Sequence, residues 1–328
     1  PNKGENPEGY FNTVLYTGNG ASSQAITGVG FQPDFTWIKS RSLNQSGPVF
    51  SSLQNGGMMR TPLTSAEGGT GGTVYFTSFD SDGFTLGTVS DPMYNQSSAT
   101  YVAWNWLAGG TGVSNTDGTI TSTVSANTEA GFSVVSYTGN GTGGATIGHG
   151  LGVAPDMIIV KNRAVTSNFI TYHSANTSAP ATDYLMLNSN DATADASSVW
   201  NDTAPTSSVF TVGNSSNTNG SSNNMIAYCF ANKEGYSKFG SYTGNGSTNG
   251  PFVYTGFRPA FVLIKSAVGT DQSWQIQDAA REPFNDGNRT VLFPDLSNAE
   301  VENAFPLDFL SNGFKLRNSG SGNNLSGA

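Results

Sequence analysis

The chain alternates short apolar runs with clusters of Gly, Asn, Asp and Ser, and almost nowhere shows the 3.6-residue period of an amphipathic helix. β-Branched and aromatic residues concentrate in segments 13–16, 35–38, 74–76, 84–86, 101–106, 132–137, 157–160, 168–172, 184–187, 209–212, 225–230, 252–254, 261–264, 274–277, 290–293 and 314–316. Short strands separated by turn-formers predict an all-β chain of antiparallel sandwich or jelly-roll type. One exception is 298–303, Asn-Ala-Glu-Val-Glu-Asn, whose composition suits a helical turn.

The pattern repeats. Tyr16-Thr-Gly-Asn-Gly20 returns as residues 137–141 and 242–246. Each occurrence is followed, at a spacing constant to one residue, by proline and an apolar strand ending in lysine: Pro33 to Lys39, Pro155 to Lys161 and Pro259 to Lys265. Further on, the segment around Phe84 matches those around Phe210 and Phe314, and the strand 101–106 matches 225–230. A repeat of this length predicts three tandem β-sandwich modules, jelly-roll-like and lectin-like in pattern. They span 1–108, 119–233 and 234–328, with the Gly-rich stretch 109–118 as a flexible linker. Each module is long enough for its own core, which predicts beads in a row. Segment 119–124 reads as a first strand of the second module, and 232–238 as a tight joint to the third.

Thr-Gly-Asn-Gly reads as a hairpin turn, with Asn and Gly tolerating positive φ. The third module's counterpart of strand 101–106 falls just after Ala328, so that module is expected to lack its last strand. A chain continuing past 328 is the favoured explanation, and a strand donated by a neighbouring chain is the other.

Composition narrows the function. Only 11% of residues are charged, against about 25% in ordinary globular domains, so the surface is hydrated mainly by hydroxyls and amides. The net charge of −9 argues against nucleic acid and anionic membranes as partners. No apolar run is long enough to cross a bilayer, so no membrane insertion is expected. A single cysteine, Cys229, excludes an intrachain disulfide and reads as a small buried residue. The chain opens on Pro1 and shows no signal peptide, as expected of a processed chain or a fragment.

Several segments together carry a resemblance: Gly-Phe-Ser-Val-Val-Ser-Tyr-Thr-Gly-Asn-Gly at 131–141, Gly-His-Gly-Leu-Gly-Val-Ala-Pro-Asp-Met-Ile-Ile-Val-Lys at 148–161, and Glu-Gly-Tyr-Ser-Lys-Phe-Gly-Ser-Tyr-Thr-Gly-Asn-Gly at 234–246. They resemble an uncharacterised tandem repeat domain of tailed, mostly marine, bacteriophages, found in tail fibre and other virion surface proteins. The resemblance implies a virion structural protein and brings no catalytic residues. The expectation is part of a tail fibre or exposed appendage, involved in adhesion to host-surface glycans. The alternatives are a capsid-attached fibre or decoration protein, and a lectin-like or glycan-processing module. The implied partners are a homo-oligomer (a trimer is common among phage fibres), other virion proteins and host glycans. The implied location is the virion, after synthesis in the host cytoplasm.

The residues offer little chemistry, and no enzyme is expected. Gly139-x-Gly141-x-x-Gly144 matches a dinucleotide fingerprint only formally, because no helix-forming segment follows it. His149 and His173 have no metal-ligand spacing. The acidic pair Glu300 and Glu302 lies in the expected helical turn. Asp80 and Asp82 form the densest carboxylate pair, and they are the candidate metal ligands for Ca²⁺, the one cofactor considered. Trp104 and Trp106 share a strand face and suit a core. Trp200 and Trp274 lie outside the apolar repeat positions and are the candidate sugar-stacking residues, Trp200 as an exposed loop aromatic. The loops that differ between modules, 47–72, 188–205 and 269–288, are the expected binding surfaces.

Overall fold

The computed structural model describes residues 7–69, 74–87, 91–269, 271–285, 287 and 289–328. The chain is nearly all β, in antiparallel sheets. In the first repeat, Phe11–Thr17, Thr100–Trp106, Phe35–Ser40, Pro48–Ser51 and Met59–Arg60 form a five-stranded sheet in that order. It packs on a three-stranded sheet of Ala25–Thr27, Gly83–Leu86 and Phe76–Asp80. The second repeat builds an eight-stranded sheet, in the order Ala194–Asp195, Asp183–Met186, Phe169–His173, Met157–Asn162, Asn224–Phe230, Phe132–Thr138, Ser122–Asn127 and Val113–Asn115. Ala145–Gly148 and Val209–Val212 cover it. The third repeat has Phe261–Ile264 paired with Gln275–Asp278, and a second sheet of Phe252–Tyr254, Gly313–Leu316 and Leu307–Leu310.

The central strands of each large sheet are buried on both faces. All six residues of Met157–Asn162 are buried, and side chains alternate along a strand. Ile158 and Val160 enter the second repeat's own sandwich. Met157 and Ile159 face a different core, shared with Phe35, Trp37, Val102 and Trp104 of the first repeat and Trp274, Ile276 and Leu292 of the third. This explains why Met157–Val160 is an unbroken apolar run rather than an alternating one: neither face of this strand meets solvent. The modules are therefore not beads in a row. A free sandwich would leave Trp37, Trp104, Ile159 and Tyr228 in water, and burying each contributes about 2–3 kcal/mol.

Three local expectations are corrected. The segment 109–118 is not a free linker: Val113–Asn115 pairs with Ser122–Asn127, and Gly109 N–H donates to Ser125 Oγ. The segment 298–303 is not helical: Val301 bridges Val291 and Glu300 N–H is drawn to the Arg41 carbonyl, and the chain turns only at Glu302 and Asn303. Tyr-Thr-Gly-Asn-Gly is not a hairpin turn. The strand before it pairs with Thr100–Trp106, and the strand after it, Ala25–Thr27, pairs in the opposite sheet. The motif is a corner between two layers.

Candidate functional site

The candidate sugar-stacking tryptophans are both buried. Trp200 ends the short helix Ser197–Trp200, is 2% exposed, and meets the Tyr172 ring edge-on inside the second repeat's core. Trp274 lies in the shared core, and its indole N–H donates to the Met186 carbonyl of the second repeat. Neither offers a face to a ligand. Asp80 spends its oxygens on the hydroxyls of Ser78 and Thr85, and Asp82 on the N–H groups of Gly28 and Gly30. All four oxygens are thus engaged by protein donors in two separate settings. Among the described residues, no group of three or more His, Cys, Asp or Glu side chains has metal-site geometry.

The histidines are structural too. Leu151 N–H donates to His149 Nδ1, which leaves Nε2 to donate to the Thr206 carbonyl, and burial lowers the ring's pKa. His173 Nδ1 caps a turn by accepting from Ala175 N–H. Cys229 lies in the second repeat's core, and burial pushes its thiol up to about 12.

The repeat lysines are what the sequence reading passed over. Lys161 Nζ donates to the Thr64 carbonyl of the first repeat (3.3 Å), as well as to Asn162 O and Ser167 Oγ. Lys265 Nζ donates to the Asn190 carbonyl of the second repeat (3.2 Å), and Lys39 Nζ to the Leu296 carbonyl of the third (2.6 Å). The second repeat grips the first, the third grips the second, and the first grips the third. Two residues beyond each lysine the same order recurs: the carbonyls of Arg163, Ala267 and Arg41 accept from the N–H groups of Glu67, Thr193 and Glu300. Arg163 and Arg41 also pair with Glu67 and Glu300, each at 2.8 Å. Desolvation lowers the pKa of Lys39 and Lys161 to about 8, and that of Lys265 in the same direction. The residues that meet these groups, Thr64, Glu67, Asn190 and Thr193, lie in the variable loops 47–72 and 188–205. Those loops therefore hold neighbouring repeats; parts of 47–72 and 269–288 lie outside the described residues.

The Tyr-Thr-Gly-Asn-Gly corner closes on an asparagine that the sequence reading also missed. The hydroxyls of Tyr16, Tyr137 and Tyr242 donate to the carbonyls of Tyr94, Thr218 and Asn323. The next residue in each case, Asn95, Asn219 or Asn324, accepts from the N–H of the motif asparagine. A Cβ on Gly139 would come within 2.3 Å of the Gly220 carbonyl oxygen, and Gly141 holds φ at +70°. The motif's glycines are thus set by close approach and by backbone conformation. The visible signal was an Asn-x-Ser standing a fixed five residues before each last strand, at Asn95 and Asn219.

The third repeat differs in one respect. Residues 237–243, the counterpart of Phe132–Thr138, form no strand, and among the described residues Phe261–Ile264 pairs on one side only. Between them runs a slot of about 840 Å³, lined by Phe239, Tyr242, Phe261 and Leu263, with Trp106 and Phe230 of the other repeats. Its lining is mostly apolar.

Fold and site together define an all-β body built on a threefold internal repeat and closed by a cycle of grips. The chain belongs to the DUF7483 family, a domain of unknown function whose match covers residues 6–328. No curated protein and no solved structure matches it.

Proposed function

We propose that the chain is a non-catalytic structural protein of a virion, part of a phage tail fibre or other exposed appendage that contacts host-surface glycans. The observation that carries this reading is the closed circuit of grips through Lys39, Lys161 and Lys265, which suits a rigid load-bearing part. Two further features support it. The residue types that usually carry chemistry, His149 and the carboxylates of Asp80, Asp82 and Glu300, are all spent on structural bonds. The surface is poor in charge, and the motifs at 131–161 and 234–246 resemble those of phage virion proteins. The partners in this reading are further copies of the chain, other virion proteins and host glycans.

A second reading, a decoration protein attached to the capsid, is favoured by the cyclic order of the grips. Three like modules arranged head to tail fit a threefold lattice point. Gold-labelled antibody against the protein, imaged on intact particles, tests both readings. Label on tail appendages supports the first, label over the capsid supports the second, and unlabelled particles reject both. A glycan array on the purified chain then separates adhesion from a pure spacer role.

A further inference from the structure

In the first two repeats one strand sits between two others and completes the large sheet. Thr100–Trp106 pairs with Phe11–Thr17 on one side and Phe35–Ser40 on the other. Asn224–Phe230 pairs in the same way with Phe132–Thr138 and Met157–Asn162. Both central strands start from one fixed anchor. Gly18 N–H donates to Ala99 O, and Gly139 N–H to Asn223 O, one residue before each strand. In the third repeat Gly244 N–H donates to Ala328 O at 2.9 Å, and Gly327 N–H returns a bond to Gly244 O. The anchor is present, and the slot opens beside it.

The slot also holds unmet polar demands. The Asn176 Nδ2 and both side-chain polar atoms of Asn323 are buried without a hydrogen-bond partner, and both residues line the slot. Asn323 is 5% exposed. Asn176 stands where the filled slots place a partner. The fifth residue of each central strand reaches into the neighbouring repeat: Trp104 Nε1 donates to Asp278, and Tyr228 OH to Gln54, each at 3.0 Å. Asp278, His173 and Ser51 are equivalent by register, opposite Phe261, Met157 and Phe35. Asn176 follows His173 by the same three residues that separate Gln54 from Ser51.

We propose that the slot is a strand acceptor, taking a seven-residue extended polypeptide segment of the same pattern as Asn224–Phe230. The segment starts beside Ala328 and runs antiparallel to Phe261–Ile264. Main-chain bonds to the free edge hold it, and alternate side chains give specificity. The two filled slots supply the pattern. Tyr101 and Met225 enter a module's own core, while Val102 and Ile226 face the shared one. Alanine follows at Ala103 and Ala227, and the seventh position is aromatic at Trp106 and Phe230. At the fifth position the slot prefers tyrosine to tryptophan, because Asn176 Nδ2 is a donor and the indole N–H offers no acceptor. The proposal stands apart from the virion reading, and failure of either leaves the other intact.

The test uses the 328-residue chain and a synthetic heptapeptide with the sequence of Asn224–Phe230. Binding is read by calorimetry, and protection of the Phe261–Ile264 amides by hydrogen exchange. Saturable binding, protection confined to that edge and a raised Tm are expected. Replacing the peptide's tyrosine by phenylalanine should weaken binding several-fold, and Asn176→Leu in the protein should erase that difference. Appending the same seven residues directly after Ala328 should raise Tm by several degrees and block the free peptide. Equal binding of a scrambled peptide overturns the proposal. So does an appended segment that leaves both Tm and the Phe261–Ile264 amides unchanged.

Discussion

Lys161, at the end of a strand in the second repeat, places its ammonium on the carbonyl oxygen of Thr64 in the first. The strand is buried on both faces, so this long side chain has no route to water and meets carbonyls instead. The charge is thereby converted into a joint between modules.

Lys161→Met keeps most of the volume but leaves the carbonyls of Thr64 and Asn162 and the Ser167 hydroxyl without this donor. A buried group left unsatisfied costs about 1–3 kcal/mol, partly offset by relief of the buried charge. The variant should lose about 2–4 kcal/mol in urea unfolding. Lys161→Arg should not rescue it, since a planar fork does not fit three converging acceptors.

The lysines set a pH dependence with a definite sign. Lys39 and Lys161 lose their protons near pH 8 in the folded protein, against 10.5 unfolded. Above pH about 8 the unfolded chain holds more protons, so raising the pH favours folding through these two groups; below it their contribution is flat. Unfolding free energy measured from pH 8 towards 10 should rise more steeply in the wild type than in a Lys39→Met/Lys161→Met variant.

The corner clasp is open to single substitutions. Tyr137→Phe leaves the buried Thr218 carbonyl without its partner and should cost about 1–2 kcal/mol. Asn219→Ala removes bonds to the Asn140 N–H and to the carbonyls of Thr142 and Gly213, so it should cost about 2–4 kcal/mol. Chemical denaturation of the two variants ranks them, and an Asn219→Ala variant as stable as the wild type would show that the hydroxyl alone holds the corner.

Trp200→Ala should behave as a core truncation, lowering stability by about 3–5 kcal/mol. A variant that keeps its Tm while losing glycan binding would show that this ring reaches solvent. Calcium and chelator should leave the wild-type Tm unchanged, because Asp80 and Asp82 already have protein donors. A Tm rise of several degrees with calcium would overturn that.

The strands were legible in the sequence because β-branched and aromatic residues are grouped between turn-formers, and the repeat was legible because Tyr16, Tyr137 and Tyr242 stand in register. The shared core was not. An unbroken apolar strand such as Met157–Val160 says that both faces are buried, but not by what. The lysines at 39, 161 and 265 held the missing hint: each stands at the end of an apolar strand, two of these strands being fully buried, and each requires acceptors from elsewhere. Trp200 was misplaced because a four-residue helix carries it inward from a polar stretch, and so short an element leaves no period to detect. The 298–303 segment owes its shape to Val291 and Arg41, both outside the segment itself.

The grip of Lys39 on Leu296 carries a consequence for assembly in time. Its partners lie 257 residues apart, so the circuit closes only once Leu296 has been made. Contacts of such long sequence separation slow folding. By the same topology, no module leaves the circuit without breaking two grips, and resistance to proteolysis should be governed by a high unfolding barrier.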